Sequence, residues 1–355
     1  MLGIDIGNNE LKITYRKGAN IMMVCEKLPT NMVRDGVVQV QDAMADFIRK
    51  IMKKNKLKKG PCTLILPPSQ VFVRPIKFPQ MDEERLRMNI PYEMKDYLAG
   101  QADKYYFDYL VDQIEADEAG NVKNIDCTVG AVTKTTIFEM KNMFQSLGVD
   151  MQVAIPQEMA YRNLLAQNPA IAGSEQDYCI MDIGHTSTRA FFYKGCKYEA
   201  TKVIEFGCQS IDEAISLALD VDPYVASAYK ETNHNNALEQ PQCVEVYNSI
   251  AFEIMKALNF YGFNLGAGSE QHIYYSGGGS EIQQLLRVIT ETTGLEARSV
   301  NDLMPESFHG PNSIRCAMSL GATLQSGGDI KWQKKIKIKK KRPEALVLIL
   351  ILVLL

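Results

Sequence analysis

Two stretches decide the fold: residues 4–18, IDIGNNELKITYRKG, and residues 181–195, MDIGHTSTRAFFYKG. Aligned without a gap, both open on Asp-Ile-Gly, at Asp5 and Asp182, and both close on Lys-Gly, while Lys12 falls opposite Arg189. Each reads as an apolar strand, a tight glycine-containing turn and a returning strand, 11–15 or 189–193, with a third strand at 21–24 or 197–203. The copies stand 177 positions apart. Solenoid repeats recur at roughly 20–50 residues, so this spacing implies two halves of similar fold that face one another.

Working outward, Met44, Phe47, Ile48 and Ile51 sit at helical spacing in 42–54, and strands at 62–66 and 71–78 are bounded by Pro67-Pro68 and Pro79. This alternation is an α/β pattern. From Met81 the character changes: Asp82 is placed to cap a helix that Pro91 interrupts, strands follow at 104–114 and 125–132, then an amphipathic helix at 135–147. The stretch is an α+β insertion. Residues 210–264 are mostly helical by pattern, 233–242 read as a polar loop, and 282–293 as a further helix. The expected organisation is a first subdomain of 1–80 with 154–175, an insertion of 81–153, a second half of 176–330, and a tail of 331–355.

Of the 355 residues 46% are hydrophobic, which suits two cores and excludes general disorder. The formal charge of −3 conceals an uneven distribution. Residues 331–342, KWQKKIKIKKKR, hold seven Lys and one Arg; removing them and Glu344 leaves 31 basic against 41 acidic side chains in 1–330, a net −10. A carboxylate excess argues against nucleic acid as a partner of the body. Eight cysteines without a C-x-x-C pair, and only four histidines, argue against zinc and disulfide frameworks and for a reducing compartment. The opening MLGIDIG lacks the features of a secretory signal, so the body is expected to stay in the cytoplasm.

Three glycine-bearing turns carry the chemistry. In the first, Gly7, Asn8 and Asn9 can offer backbone N–H groups to an anion while Asp5 holds its Mg²⁺ through water. In the second, Asp182, Gly184, His185 and Thr186 repeat the arrangement. In the third, Gly277, Gly278 and Gly279 lie between a strand and a helix start, where the backbone can approach a ligand closely.

In this order the three turns resemble the actin-like ATPase superfamily, which includes actin, Hsp70 and FtsA; residues 317–324, AMSLGATL, resemble its hinge helix. The resemblance implies an actin-like ATPase fold, two RNase H-like halves around a nucleotide cleft, with ATP and Mg²⁺ as ligands. Within it, Phe72-Val73-Arg74-Pro75-Ile76, the segment from Phe78 to Leu86, Ile90-Pro91-Tyr92-Glu93-Met94 and Tyr105-Tyr106-Phe107-Asp108-Tyr109 resemble the PilM family of type IV pilus assembly, a relative of FtsA. That implies a cytoplasmic, membrane-peripheral scaffold that engages the N-terminal peptide of a PilN-like membrane protein and other pilus platform proteins. Self-association into an oligomer or filament stays open, with an FtsA-like division protein as the alternative.

By the same resemblance, Lys12 joins the phosphate loops and Lys230 lies beside the nucleoside, but the acid usual three residues before that lysine is Ser227 here. The residue that positions the attacking water should be a Gln or Glu near 156; Pro156 stands there, next to Gln157 and Glu158. Glu158 is the remaining catalytic candidate alongside Asp5 and Asp182, and nucleotide binding with at most slow hydrolysis is expected. The basic run is followed by residues 345–355, ALVLILILVLL, about 16 Å of helix, half a bilayer core. Such a tail is expected either to touch an anionic membrane surface or to begin a longer membrane segment.

Overall fold

The computed structural model describes residues 1–118, 121–262 and 272–324. The basic-apolar tail and the end of the 210–264 helical stretch lie outside the described residues. The chain divides into two compact units: 1–6, 10–167 and 318 onward form the first, and 7–9 with 168–317 the second.

In the first unit, β1 (Leu2–Ile6), β2 (Glu10–Lys17) and β3 (Asn20–Lys27) form the antiparallel ribbon expected of the first repeat. A small hairpin, β4 (Val33–Arg34) and β5 (Val37–Val38), leads to α1 (Gln41–Lys54), whose buried Met44, Ala45, Ile48, Ile51 and Met52 lie on one face. Next come β6 (Pro61–Leu66), β7 (Val71–Pro79), α2 (Glu83–Glu93), β8 (Tyr105–Ala116), β9 (Val122–Thr133), α3 (Lys134–Leu147), β10 (Asp150–Pro156) and α4 (Gln157–Leu165). The main sheet has the order β3-β2-β1-β6-β10, with β6 and β10 parallel to β1.

The second unit repeats that plan. A single turn, α5 (Pro169–Ala172), precedes β11 (Asp177–Ile183), β12 (Thr188–Lys194) and β13 (Lys197–Ile204), then α6 (Cys208–Leu219), α7 (Pro223–Thr232), α8 (Pro241–Phe260), β14 (His272–Ser276), α9 (Gln283–Thr293) and β15 (Glu296–Ser299). Its sheet order is β13-β12-β11-β14-β15, three antiparallel strands followed by two parallel ones. The echo extends to single residues: Asp5 faces Lys12 across the first hairpin, and Asp182 faces Arg189 across the second. Two RNase H-like sheets with an inserted α+β layer make the actin-like fold that the motifs imply.

Two elements belong elsewhere than the local sequence suggests. β7, expected to close the first subdomain, pairs along its length with β9, in a three-stranded sheet of order β7-β9-β8. α3, expected in the insertion, packs against α1 and β10. The insertion's own core is Phe78, Leu86, Ile90, Met94, Leu98, Tyr109, Val111, Ile125, Cys127, Val129 and Ala131, between that sheet and α2. Asp82 caps α2 as expected, accepting from the Arg85 N–H at 2.8 Å. Pro91 falls in its last turn, where it removes one N–H bond to the Arg87 carbonyl without ending the helix, which runs two residues further. The stretch 233–242 is a 3₁₀ segment, His234–Glu239, kinked by positive φ at Asn235 and Asn236.

The last helix, α10 (Ala317–Ala322), brings the chain back to the first unit. Ser319 Oγ shares a buried 2.8 Å hydrogen bond with Thr14 Oγ1, the Arg16 guanidinium donates to the Thr323 carbonyl at 2.8 Å, and the Asn163 amide donates to the Gly321 carbonyl at 3.2 Å. A Cβ at Gly321 would collide with the Ala160 carbonyl of α4, so only glycine permits this approach.

Candidate nucleotide site

In the second unit, register sets the geometry. Asp182 lies level with Ser276 across the parallel pair β11 and β14, so the turn 184–187 and the glycine run 277–279 leave the same edge of the sheet. Ligands of α/β sheets collect at the carboxyl ends of parallel strands, and the reason is visible here. The turn closes on itself through the Gly184 N–H to the Ser187 carbonyl, 3.0 Å. Its remaining carbonyls dock on α6: Gly184 accepts from the Cys208 N–H at 3.0 Å, and His185 from the Gln209 N–H at 2.8 Å. These bonds use the first amides of α6, while the turn's outer face keeps Thr186, whose Oγ1 accepts from Asn8 Nδ2 at 2.8 Å. Residues Gly7, Asn8 and Asn9 group with this unit, so it holds both predicted phosphate turns.

The glycine run has a different form from the one expected. Gly278–Glu281 make a turn of 3₁₀ helix, and α9 starts only at Gln283. Gly277 has φ +90°, and a Cβ there would collide with Asp182 Oδ1. Ser276 Oγ donates to the Ile314 carbonyl at 2.9 Å and Ser280 Oγ to the Gly277 carbonyl at 2.7 Å, which ties the loop down. Gly279 lies against Ile183 and Cys208.

At the centre is Asp182, 6% exposed. Its Oδ1 is buried and has no hydrogen-bond partner among the described residues. A buried carboxylate oxygen without a donor is costly, and a cation or a cation's water shell would satisfy it. Among the described residues there is no cluster of three or more His, Cys, Asp or Glu able to cage a metal. A single unpartnered carboxylate oxygen fits a Mg²⁺ that keeps waters and nucleotide oxygens in the rest of its shell.

Lys230 is placed by a residue that the sequence reading missed. Its ammonium lies 2.6 Å from Asp212 Oδ1 on α6 and donates to the Cys208 carbonyl at 3.2 Å. Asp212 thus supplies the acidic companion absent at Ser227. The signal was present: Asp212 is an acid within the buried stripe Cys208, Ile211, Asp212, Ile215. Burial, with the Asp212 charge second, pushes the neighbouring Cys243 thiol up to about 11.

In the first unit, Asp5 is 4% exposed at the end of β1 and lies 3.9 Å from the Lys12 ammonium. Ile4 is level with Leu64, and Leu66 with Pro156, so Asp5 and the start of α4 share one sheet edge. Pro156 caps α4, and Gln157 and Glu158 occupy its first turn, both nearly buried.

The sequence pattern of the family described as type IV pilus assembly protein PilM matches residues 3–313. Among solved structures, a PilM-PilN type IV pilus biogenesis complex is similar, with 20% identity, a TM-score of 0.76, and coverage of 90% of this chain and 96% of the other. The ethanolamine utilization protein EutJ from Carboxydothermus hydrogenoformans shares the fold at 12% identity, with a TM-score of 0.56 and coverage of 90% and 88%. No curated protein sequence matches the chain.

Proposed function

Since this chain belongs to the PilM family of type IV pilus assembly proteins, we propose that it is an ATP-binding, actin-like scaffold of a pilus assembly platform. The reading places it at the inner face of the cell membrane, where it engages the N-terminal cytoplasmic peptide of a PilN-like protein and, through it, other platform components. The observation that carries the nucleotide part is the buried, unpartnered Asp182 Oδ1 beneath Gly277. Bound Mg-ATP would supply the cation that this oxygen lacks and a triphosphate for the two turns.

The chain's own residues then divide the work. Asp182 and Asp5 would each offer a carboxylate to the metal's water shell, and the backbone amides of Gly7, Asn8, Asn9, His185 and Thr186 would be offered to the phosphates, with Lys12 as a counter-charge; Gly184, whose N–H is held by the Ser187 carbonyl, would serve through its missing side chain. Gly277, Gly278 and Gly279 give the nucleoside close access to backbone, with Lys230 held beside it by Asp212. Hydrolysis is slow on this reading. Pro156 ends a strand at the position of the expected acid, and Glu158 is nearly buried in the turn that follows. The partner assignment is drawn from the solved PilM-PilN relative and from the family. Calorimetry of the purified chain with Mg-ATP, and with a synthetic PilN-like N-terminal peptide, tests both parts; binding of neither ligand would end the reading.

A further inference from the structure

Residues 47–60, FIRKIMKKNKLKKG, join the last turns of α1 to β6 and carry seven cations and no acid: Arg49, Lys50, Lys53, Lys54, Lys56, Lys58 and Lys59. All seven side chains are exposed. Ile48, Ile51, Met52 and Leu57, between them, are buried, so the segment is fastened to the first unit by its apolar residues and presents its charges outward. Two of the seven are neutralised locally: Arg49 pairs with Asp46, and Lys54 lies 2.7 Å from Glu26. The backbone N–H of Asp150 donates to the Gly60 carbonyl at 3.1 Å, which fixes the end of the segment. Among the described residues Lys50, Lys53, Lys56 and Lys58 form no ion pair.

Helix stability does not account for the cluster. Lys53 and Lys54 in the last turn of α1 favour the helix dipole, but Lys56, Lys58 and Lys59 lie beyond the helix end. Nor is it an average surface, because residues 1–330 carry a net −10. A concentrated positive patch on an acidic body is complementary to an extended anionic surface. Six of the seven cations are lysines, compact hydrated charges that suit diffuse attraction better than the bidentate capture of a single carboxylate. The first unit is also where the described chain ends, at Leu324, before the sequence runs on to the eight cations of 331–342 and the apolar 345–355.

We propose that this lysine surface is a membrane contact of the folded body, taking the headgroups of anionic phospholipids in addition to whatever the tail binds. Near a membrane surface each lysine contributes additively, and a second contact on one body multiplies the effect of the first. The inference rests on the membrane-side part of the functional reading and is independent of the nucleotide site.

The test uses the full chain and vesicles of phosphatidylethanolamine with about a third phosphatidylglycerol, the anionic fraction being the variable. Replacing Lys50, Lys53, Lys56 and Lys58 by Gln should weaken sedimentation with these vesicles by about tenfold or more. It should also flatten the salt dependence and leave binding to zwitterionic vesicles unchanged. A Lys→Glu set at the same positions should weaken binding further, and circular dichroism of both variants should match the parent because the side chains are exposed. Anionic-vesicle binding equal to the parent's in both variants would overturn the proposal and leave the surface to an acidic protein. No vesicle binding by the parent chain would overturn it together with the membrane part of the functional reading, while Mg-ATP binding would be untouched.

Discussion

Asp182 is a residue whose two roles pull in opposite directions. As a buried carboxylate with an unpartnered oxygen it destabilises the ligand-free chain, and as the metal-facing group of the proposed function it would strengthen nucleotide binding. Asp182→Asn should therefore raise the urea midpoint of the ligand-free protein by the equivalent of about 1–3 kcal/mol, while calorimetry shows Mg-ATP affinity reduced at least tenfold. A purely structural aspartate would lose stability on the same change. Gly277→Ala should be harmful on both counts, because it forces an L-residue to φ +90° and pushes a methyl onto Asp182 Oδ1. Unfolding should show a loss of about 2 kcal/mol or more, with no measurable nucleotide heat. Asp182, Gly184 and Gly277 were legible in the sequence because a strand-Gly-turn is a local signal. Asp212 was legible only as an acid in an otherwise buried stripe; its partner Lys230, eighteen positions away on another helix, was not, because pairing across helices leaves no local trace.

The elements show the same division. Residue periodicity, caps and prolines located the two repeat hairpins, the strands β6 to β9 and the helices α1, α2, α3 and α9, but not β4, β5, β10, β15 or α5; the capping of α2 by Asp82 follows from local chemistry alone. The partners of β7 and α3 were not legible: a strand carries no label for the neighbour it pairs with, and α3 follows the insertion in sequence while packing on α1 and β10. One cross-element contact is open to direct measurement. Asp112 on β8 lies 4.0 Å from the Arg162 guanidinium on α4, has a side chain 2% exposed, and accepts from Thr128 Oγ1 at 2.7 Å. It links the insertion's sheet to the helix that carries Glu158. Asp112→Ala strands a buried guanidinium and should cost about 3–5 kcal/mol in urea unfolding, whereas replacing both Asp112 and Arg162 by Leu and Met should restore most of that loss. A small effect from the single change would mean that the pair is not a structural tie.

At the scale of the whole molecule, none of the eight cysteines forms a disulfide among the described residues, and burial raises Cys62 and Cys127 in the first unit and Cys179 in the second to about 12. These groups hold their protons more tightly when folded. Their contribution to stability is complete below about pH 9, where unfolded thiols are also neutral, and is lost as the pH rises from 9 towards 12. The denaturation midpoint should fall over that alkaline window, and maleimide at neutral pH should reach the half-buried Cys25 and Cys196 well before the rest. Charge is distributed as unevenly as burial: a net −10 over 1–330 contains a lysine surface on α1 and precedes a basic run at 331–342. The proposed function, an acidic body that would hold ATP through Mg²⁺ and a PilN-like peptide beside a membrane, unites these features. The most direct measurement is calorimetric titration of the purified chain with Mg-ATP and, separately, with the N-terminal peptide of a PilN-like membrane protein. The account predicts saturable binding of both, with the nucleotide signal abolished by chelating Mg²⁺ and weakened by Asp182→Asn; a folded chain that binds neither would contradict it.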